Sequence, residues 1–287
     1  PEWLCVHGAA IEFAGRLVLF PNTRRAGKST LTACLAAKGC RVFTDDFLPI
    51  DLDTNGVPNG IACGAKPRLR LPVPAEFSPE LRSFLEEKMA ISGHQYGYLG
   101  DDKINLARHG DRLPFGAIVL LERVEGASPE LTPASKADVL RRIIIQNFSR
   151  AQDARRILQV LHFIASSVPL YTLRYSSAEE AASLLKSAFT DWPVPKGPGF
   201  RIAASDAQAG VLRDRPAGAT ADFNLAIVRS DSVTELAVDD ESFLVDEKGY
   251  AIHHLDSISG AIWSVLEKPV LLTDVVGMFQ AAFPDQP

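Results

Sequence analysis

The sequence predicts an α/β fold followed by a small α+β unit of the winged-helix-like type. Three observations support this fold class. A strand–loop–helix–strand pattern with a Gly-Lys-Ser-Thr turn runs from Leu17 to Ile50. The apolar run Ala117–Leu121 is typical of a central strand that is buried on both faces. A Pro/Gly/Ala-rich segment then separates this part from a hairpin and two helices at the end of the chain.

The first pattern divides into three elements. Leu17–Phe20 is the short apolar run that a buried strand needs, and Pro21 ends it. The tetrapeptide at 27–30 then opens a helix, LTACLAAK, made of good helix formers and stopped by Gly39. Arg41–Phe43 returns to extended structure.

These elements place groups suited to phosphate chemistry near one another. Backbone N–H groups of the loop and of the helix N-terminus can surround a phosphate. Lys28 would reach the β- and γ-phosphates, and the Ser29 hydroxyl would bind Mg²⁺. Asp45 and Asp46 follow the next strand, at the edge where open α/β sheets place ligands. One aspartate could hold the metal while the other takes a proton from an attacking hydroxyl.

The match to the eight-residue P-loop pattern is imperfect. The pattern begins with Gly where this chain has Asn22, and we expect the turn to form because Asn tolerates left-handed backbone. Arg24 and Arg25 are unusual in such a loop, where they either add charge for phosphates or block the pocket by their bulk. A chance tetrapeptide at a helix start is the plain alternative. The predicted nucleotide-binding residues are Asn22, Thr23, Arg24, Arg25, Ala26, Gly27, Lys28, Ser29 and Thr30.

Short strands are predicted on both sides of this segment. Leu4–Phe20 forms a hairpin that turns at Ala14-Gly15 and carries His7 in its first strand. After the aspartates, Asn55-Gly56 and Asn59-Gly60 predict the turns of a meander.

A basic stripe follows the meander. Lys66, Arg68 and Arg70 alternate with Pro and Leu, so a strand would place the three cations on one face. A solvated edge and a contact to substrate or phosphate remain equally open.

The rest of the first part alternates between helices and strands. The predicted elements are a helix at 79–90 capped by Ser78, a loop at 91–103, the strand at 117–121, two helices between 135 and 166, a strand at 169–174, and a helix capped by Ser176 or Ser177.

The composition divides the chain into a domain at 1–190, a linker at 191–221 and a second domain at 222–287. In the second domain, SFLVDEKGYAIHHL predicts a hairpin. It is followed by a helix capped by Asp256 or Ser257, a strand-like PVLL, and a helix capped by Thr273.

Composition excludes several classes of protein. Charged residues make up 23% and hydrophobic residues 46%, as in soluble globular proteins. No apolar run approaches the roughly 18 residues that span a bilayer, and no signal peptide is visible, so no membrane partner is expected. The four cysteines lack metal-ligand spacing and are interpreted as reduced thiols of a cytoplasmic protein.

Charge is unevenly distributed along the chain. From Ala221 to the end the net charge is −9, and the remainder carries +4. The acidic C-terminal part is a poor candidate for nucleic-acid binding, so no nucleic-acid partner is expected. The sequence leaves a homo-oligomer open.

Residues Cys5 to about Phe189 resemble the HPr kinase family. The resemblance rests on His7-Gly8-Ala9 ahead of the loop lysine, on the loop itself, and on the Thr-Asp-Asp that follows it. It implies a P-loop fold akin to phosphoenolpyruvate carboxykinase. It also implies ATP- and Mg²⁺-dependent phosphorylation of a seryl side chain, and some relatives act on ribosomal peptides. The signature loop of HPr kinases is not found, so HPr itself is not the expected substrate.

The resemblance also implies roles for individual residues. Lys28 and Ser29 would bind phosphate and Mg²⁺, Asp45 would be the general base with His7 as its ionic partner, and Asp46 would contact the metal or a phosphate. Adjacent carboxylates titrate together, so which aspartate takes which role stays open.

Residues Phe223 to Phe283 resemble PqqD, the domain that holds leader peptides during the modification of ribosomal peptides. The string FLVDEKGYAIHHLDSISGAIWSVLE carries this resemblance, with Leu255, Asp256, Ile262 and Trp263 at characteristic places. The apolar positions also fit a plain helical core. The resemblance implies a leader peptide that adds as a strand to the sheet edge.

The two resemblances together predict a kinase that phosphorylates a Ser or Thr hydroxyl of a ribosomally made precursor peptide, which it holds through the second domain. The alternative is a nucleotide-binding pseudo-kinase that delivers the peptide to another enzyme.

Overall fold

The computed structural model describes residues 4–22, 26–100, 104–149, 153–192 and 225–284. The chain divides into two compact units, one of residues 1–150 and 159–204 and the other of residues 151–158 and 205–287. Most of the predicted linker at 191–221 lies outside the described residues. None of the helices in the described ranges has the length and apolar character needed to cross a bilayer.

The elements up to residue 188 mix short strands and helices. The strands are β1 (Leu4–His7), β2 (Ala9–Phe13), β3 (Arg16–Phe20), β4 (Arg41–Thr44), β5 (Phe47–Leu52), β6 (Pro58–Ile61), β7 (Arg68–Arg70), β8 (Met89–Ser92), β9 (Tyr96–Leu99), β10 (Arg112–Arg123), β11 (Glu130–Pro133) and β12 (Leu170–Tyr175). The helices are α1 (Lys28–Ala37), α2 (Pro79–Lys88), α3 (Lys136–Gln146), α4 (Ala154–Ser167) and α5 (Ala178–Ala188).

Nine strands of the described ranges form one sheet, and β10 lies at its centre. The main path runs β1-β5-β6-β10-β3-β2-β4, and β10 also pairs with β12, which pairs with β11. The start of β10 runs antiparallel to β6, whereas its second half runs parallel to β3 and β12. Ala117, Ile118 and Val119 are fully buried, which confirms the central strand predicted at 117–121.

The β2–β3 hairpin confirms the predicted turn. Ala14 and Gly15 both have positive φ, at 44° and 79°, which suits a two-residue hairpin connection. The hairpin is shorter than predicted, because β1 pairs with β5 and not with β3.

Helix α1 packs its apolar side on the sheet. Leu31 and Leu35 are almost completely buried in a core that also includes residues of α2, α5 and the central strands. The predicted stop is confirmed: Gly39 has φ +79°, and the N–H of Cys40 donates to the carbonyl of Leu35 at 3.0 Å. The predicted caps Ser78 and Ser177 each accept a bond from a backbone N–H of their helix. Ser135 caps α3 in the same way, although the sequence analysis named no cap there.

Two predictions for the middle of the chain are wrong. Asn59-Gly60 is not a turn but part of β6. A Cβ on Gly60 would lie 2.5 Å from Cδ1 of Leu17 and 2.9 Å from Cδ2 of Leu48. Close packing therefore explains this glycine. The predicted loop at 91–103 contains strand residues, since β8 and β9 pair and form a three-stranded sheet with β7. The predicted turn at Asn55-Gly56 is confirmed by the bond from Gly56 N–H to Asp53 O at 2.9 Å.

The four cysteines are free thiols, as predicted. Cys34 and Cys40 are buried, and burial raises the pKa of Cys34 to about 12. These thiols therefore stay protonated at neutral pH.

The second unit contains both helices and strands, as predicted. Its further elements are β13 (Ala226–Ile227), β14 (Thr234–Val238), β15 (Glu241–Val245), β16 (Ile252–Leu255), α6 (Ser257–Val265), β17 (Val270–Leu271) and α7 (Leu272–Ala282). The predicted hairpin is the β15–β16 pair, and β14 extends it to a meander that the sequence did not predict. Asp256 caps α6 through the N–H of Ser259. The prediction of a Thr273 cap is wrong, because α7 begins at Leu272 and has no side-chain cap.

Candidate active site

Strand direction brings the candidate residues to one edge of the sheet. β10 and β12 run parallel to β3, and β4 has the same direction because both β3 and β4 are antiparallel to β2. The loop follows β3, the aspartates follow β4, and Tyr175 ends β12. This is the edge at which open α/β sheets bind ligands.

Asn22 connects the start of the loop to the neighbouring strand β10 through two hydrogen bonds. Its side-chain N–H donates to the carbonyl of Leu121, and the N–H of Leu121 donates back to the Asn22 side-chain oxygen, both at 2.9 Å. The side chain is buried, and Asn22 is not among the described residues with positive φ. The expectation of left-handed backbone here is therefore wrong, because the residue acts through its amide group.

The next three predicted loop residues, Thr23, Arg24 and Arg25, lie outside the described residues. Gly27 stands at the N-cap of α1 with φ +90°, a backbone conformation that favours glycine. A Cβ on Gly27 would also lie 2.5 Å from the hydroxyl of Tyr175. That hydroxyl donates to the carbonyl of Ala26 at 3.3 Å. Tyr175 thus holds the loop close to the helix start, and burial raises its pKa to about 12.

Lys28 lies at the first turn of α1 with its side chain directed back toward the loop. Its ammonium group donates to the carbonyl of Asn22 at 2.6 Å. Burial lowers the pKa of Lys28, whereas the negative charges of Asp46 and Asp45 raise it. The cation and both carboxylates therefore act on one another electrostatically.

Asp45 is the most deeply buried acid of the site. One of its oxygens accepts a bond from the N–H of Arg68 at 2.9 Å, and its carboxylate is also hydrogen-bonded to the Ser29 side chain. Burial raises the pKa of Asp45 to about 6 and the charge of Asp46 adds to the rise, while the bonds from Arg68 and Ser29 oppose it. A carboxylate with this pKa is suited to accept a proton near neutral pH.

Asp46 points in a different direction from its neighbour in the chain. Its side chain is 54% exposed and lies 3.3 Å from Nε2 of His7. The other ring nitrogen of His7 is 2.6 Å from the Gln146 side-chain oxygen. The histidine therefore pairs with Asp46, whereas the resemblance implied Asp45.

The oxygen atoms at this edge suit a magnesium ion. Mg²⁺ is commonly held by one or two carboxylates together with substrate phosphates, and not by a complete protein cage. The Ser29 hydroxyl and the Asp45–Asp46 pair supply such oxygens. The donor set fits Mg²⁺ shared with a nucleotide.

Some residues of this site were not predicted. Tyr175 comes one residue after the predicted strand, and Gln146 is the last residue of α3. Neither belongs to a recognisable motif. The contacts they make join positions 149 and 139 residues apart, so no local signal could have revealed them.

Comparisons with known proteins give little further guidance. No protein-family model matches the chain, and no curated protein does. Among solved structures, the HPr(Ser) kinase/phosphatase from Coxiella burnetii is similar with a TM-score of 0.31 and 11% identity, over 64% of this chain and 95% of that chain. A likeness this weak assigns neither the fold nor the activity.

Proposed function

We propose that the chain is an ATP-dependent kinase that phosphorylates a Ser or Thr hydroxyl of a ribosomally made precursor peptide. The observation that carries the proposal is Asp45, a buried carboxylate with a pKa raised to about 6 that is bonded to Ser29 in the first turn of α1. A proton acceptor thus lies next to the backbone N–H groups that can bind phosphates.

In the proposed phosphoryl transfer, each group of site residues has a separate role. The loop at 22–30 and the N-terminus of α1 would bind the phosphates through backbone N–H groups. The ammonium of Lys28 would balance negative charge on the transferred group, and Asp45 would take the proton of the attacking hydroxyl. Mg²⁺, held by Ser29 and Asp46, would neutralise charge on the phosphates.

His7 and Gln146 would orient Asp46 without taking part in the reaction themselves. Because one ring nitrogen of His7 faces Gln146 and the other faces Asp46, the two residues fix the direction of the Asp46 carboxylate. We therefore propose His7 as a positioning residue for the metal ligand.

A pseudo-kinase that carries a peptide to another enzyme is the second candidate, and Arg24 and Arg25 in the loop favour it. Mass spectrometry of a serine peptide incubated with the protein and Mg·ATP separates the two functions. The kinase adds the mass of one phosphoryl group to the peptide. Nucleotide binding without any mass gain would favour the pseudo-kinase.

The second unit is proposed to hold the leader part of the precursor peptide. Tethering raises the effective concentration of the acceptor residue to the order of mM for a short flexible linker. Removal of residues 193–287 is therefore expected to raise KM for a leader-bearing peptide by about tenfold or more.

The same truncation should leave ATP hydrolysis unchanged, which also shows that the first unit is still folded. A peptide without a leader serves as the control, since its KM should be the same for both forms. Equal KM values for the leader-bearing peptide would contradict the role of the second unit.

A further inference from the structure

The sheet formed by β7, β9 and β8 has one core face and one solvent face. Opposite residues of an antiparallel pair lie on the same face, and the register pairs Arg68 with Tyr98 and Arg70 with Tyr96. Ile91 of β8 pairs with Tyr98 and is 62% exposed. We call these five residues the arginine–tyrosine face.

The opposite face of this sheet belongs to the core. Leu69 and Leu99 are almost fully buried, and Gly97 lies so close to Met89 that a Cβ would meet its sulfur. The sheet therefore packs on the core through one face. Arg68 and Arg70 lie on the other face of β7, which explains why both are exposed while Leu69 between them is buried.

The arginine–tyrosine face carries only positive charge. The three strands contain two arginines and no Asp or Glu. The guanidinium of Arg68 lies over the ring of Tyr96, with 4.8 Å from Cζ to the ring centroid. No carboxylate among the described residues forms a salt bridge with Arg70. Such a surface complements acidic side chains, and tyrosines add rigid, partly apolar contact area.

The face begins at the proposed proton acceptor. The N–H of Arg68 is bonded to Asp45, so a hydroxyl that reaches Asp45 comes close to the first residue of β7. A strand advances about 3.3 Å per residue, which places the start of the Arg70 side chain about 7 Å farther along. An extended peptide covers the same distance in about two residues.

We infer that the arginine–tyrosine face binds the acceptor segment of the substrate, and that this segment carries acidic side chains within about three residues of the phosphorylated hydroxyl. The inference rests on the proposed kinase function and adds a substrate class to it. The occupant is a peptide and not a nucleic acid, because the face begins at Asp45, the residue proposed to take the proton of a peptide hydroxyl.

The test uses ten-residue peptides with a central serine that is flanked on each side by two glutamates, two lysines or two alanines. Fluorescence anisotropy measures their affinity for the full-length protein, and a kinase assay measures kcat/KM. We expect the glutamate peptide to be preferred over the lysine peptide by about tenfold, and this preference to decrease in high salt.

The charge-reversal variant Arg70→Glu should remove or reverse the preference and leave KM for ATP unchanged. Arg108→Glu is the matched control. Arg108 is also exposed, but it follows Ala107, which bonds to Val42 near the start of β4 and not to its end at the aspartates. The control should keep the wild-type preference.

The outcomes separate this inference from the kinase proposal. Arg70-dependent binding of the glutamate peptide without phosphorylation supports the surface and contradicts the kinase. Phosphorylation with equal kcat/KM for the glutamate and lysine peptides supports the kinase and overturns the surface. An Arg70→Glu variant that keeps the peptide preference but has a raised KM for ATP would also overturn it, because the arginine would then serve the nucleotide.

Discussion

Replacing Lys28 with methionine is expected to lower kcat/KM for peptide phosphorylation by about 10³-fold, the loss that follows when a charge-stabilising group is removed from a preorganised site. The ammonium group is buried beside the loop and interacts electrostatically with both Asp45 and Asp46. Methionine has a similar length but no charge, so it fills the space without balancing the phosphates. Transfer of labelled phosphate from ATP to a serine peptide measures the loss.

Lys38→Met is the control for this substitution. Lys38 caps the other end of the same helix, so the same chemical change there should leave the rate within about twofold of the wild type. Thermal melting distinguishes loss of catalysis from loss of folding, because a Lys28→Met variant that still unfolds cooperatively has lost its activity and not its fold. A Lys28→Met variant with the activity of the control would contradict the proposed site.

Asp45→Asn should lower kcat by about 10² to 10⁴-fold, which is the usual contribution of a positioned general base. Asparagine can still accept the bond from the N–H of Arg68, but it cannot take a proton. The pKa of Asp45 is about 6, so wild-type kcat/KM should fall as the pH is lowered through 6. A rate profile measured between about pH 5 and pH 8 shows this limb, and the residual activity of the variant should lack it.

The same substitution should stabilise the fold at neutral pH. The pKa of Asp45 rises from 3.8 to about 6 on folding, so the folded chain favours the protonated form. The stabilising contribution is complete below pH 3.8 and is lost as the pH rises through 6. Above that range the ionised group lowers the free energy of unfolding by on the order of 2 to 3 kcal/mol, which the asparagine variant recovers.

Melting of the nucleotide-free protein checks this sign. Tm of Asp45→Asn should exceed that of the wild type at about pH 7.5, and the difference should shrink toward about pH 4. Glu86→Gln, on the exposed side of α2, should change neither Tm nor its pH dependence. A lower Tm for Asp45→Asn at neutral pH would contradict this prediction, because it would show that the ionised carboxylate raises the free energy of unfolding.

Local signals were sufficient to predict the centre of the first unit. The apolar run before the loop, the helix formers after it and the left-handed Gly39 specify β3, α1 and the helix end without distant contacts. The same holds for the helices capped by Ser78 and Ser177, since each serine bonds to a residue three positions ahead.

Predictions failed where a local signal has two physical causes. Asn-Gly marks a turn at 55–56, yet at 59–60 the glycine is required by the side chains of Leu17 and Leu48. The Gly- and Tyr-rich stretch after α2 predicts a loop from its composition, whereas the alternating burial of β9 depends on its pairing with β7 and β8. The contacts of Asp45 with Arg68 and of His7 with Gln146 also depend on tertiary structure and leave no pattern in the sequence.

The two neighbouring aspartates are supported from separate parts of the first unit. Asp45 depends on the backbone of β7, whereas Asp46 depends on a histidine of β1 and on the end of α3. Substitutions in β1 or α3 can therefore change the orientation of the Asp46 carboxylate while Asp45 keeps its hydrogen bonds. Under the proposed function, substitutions on the histidine side would change the environment of the metal ligand and leave that of the proton acceptor intact.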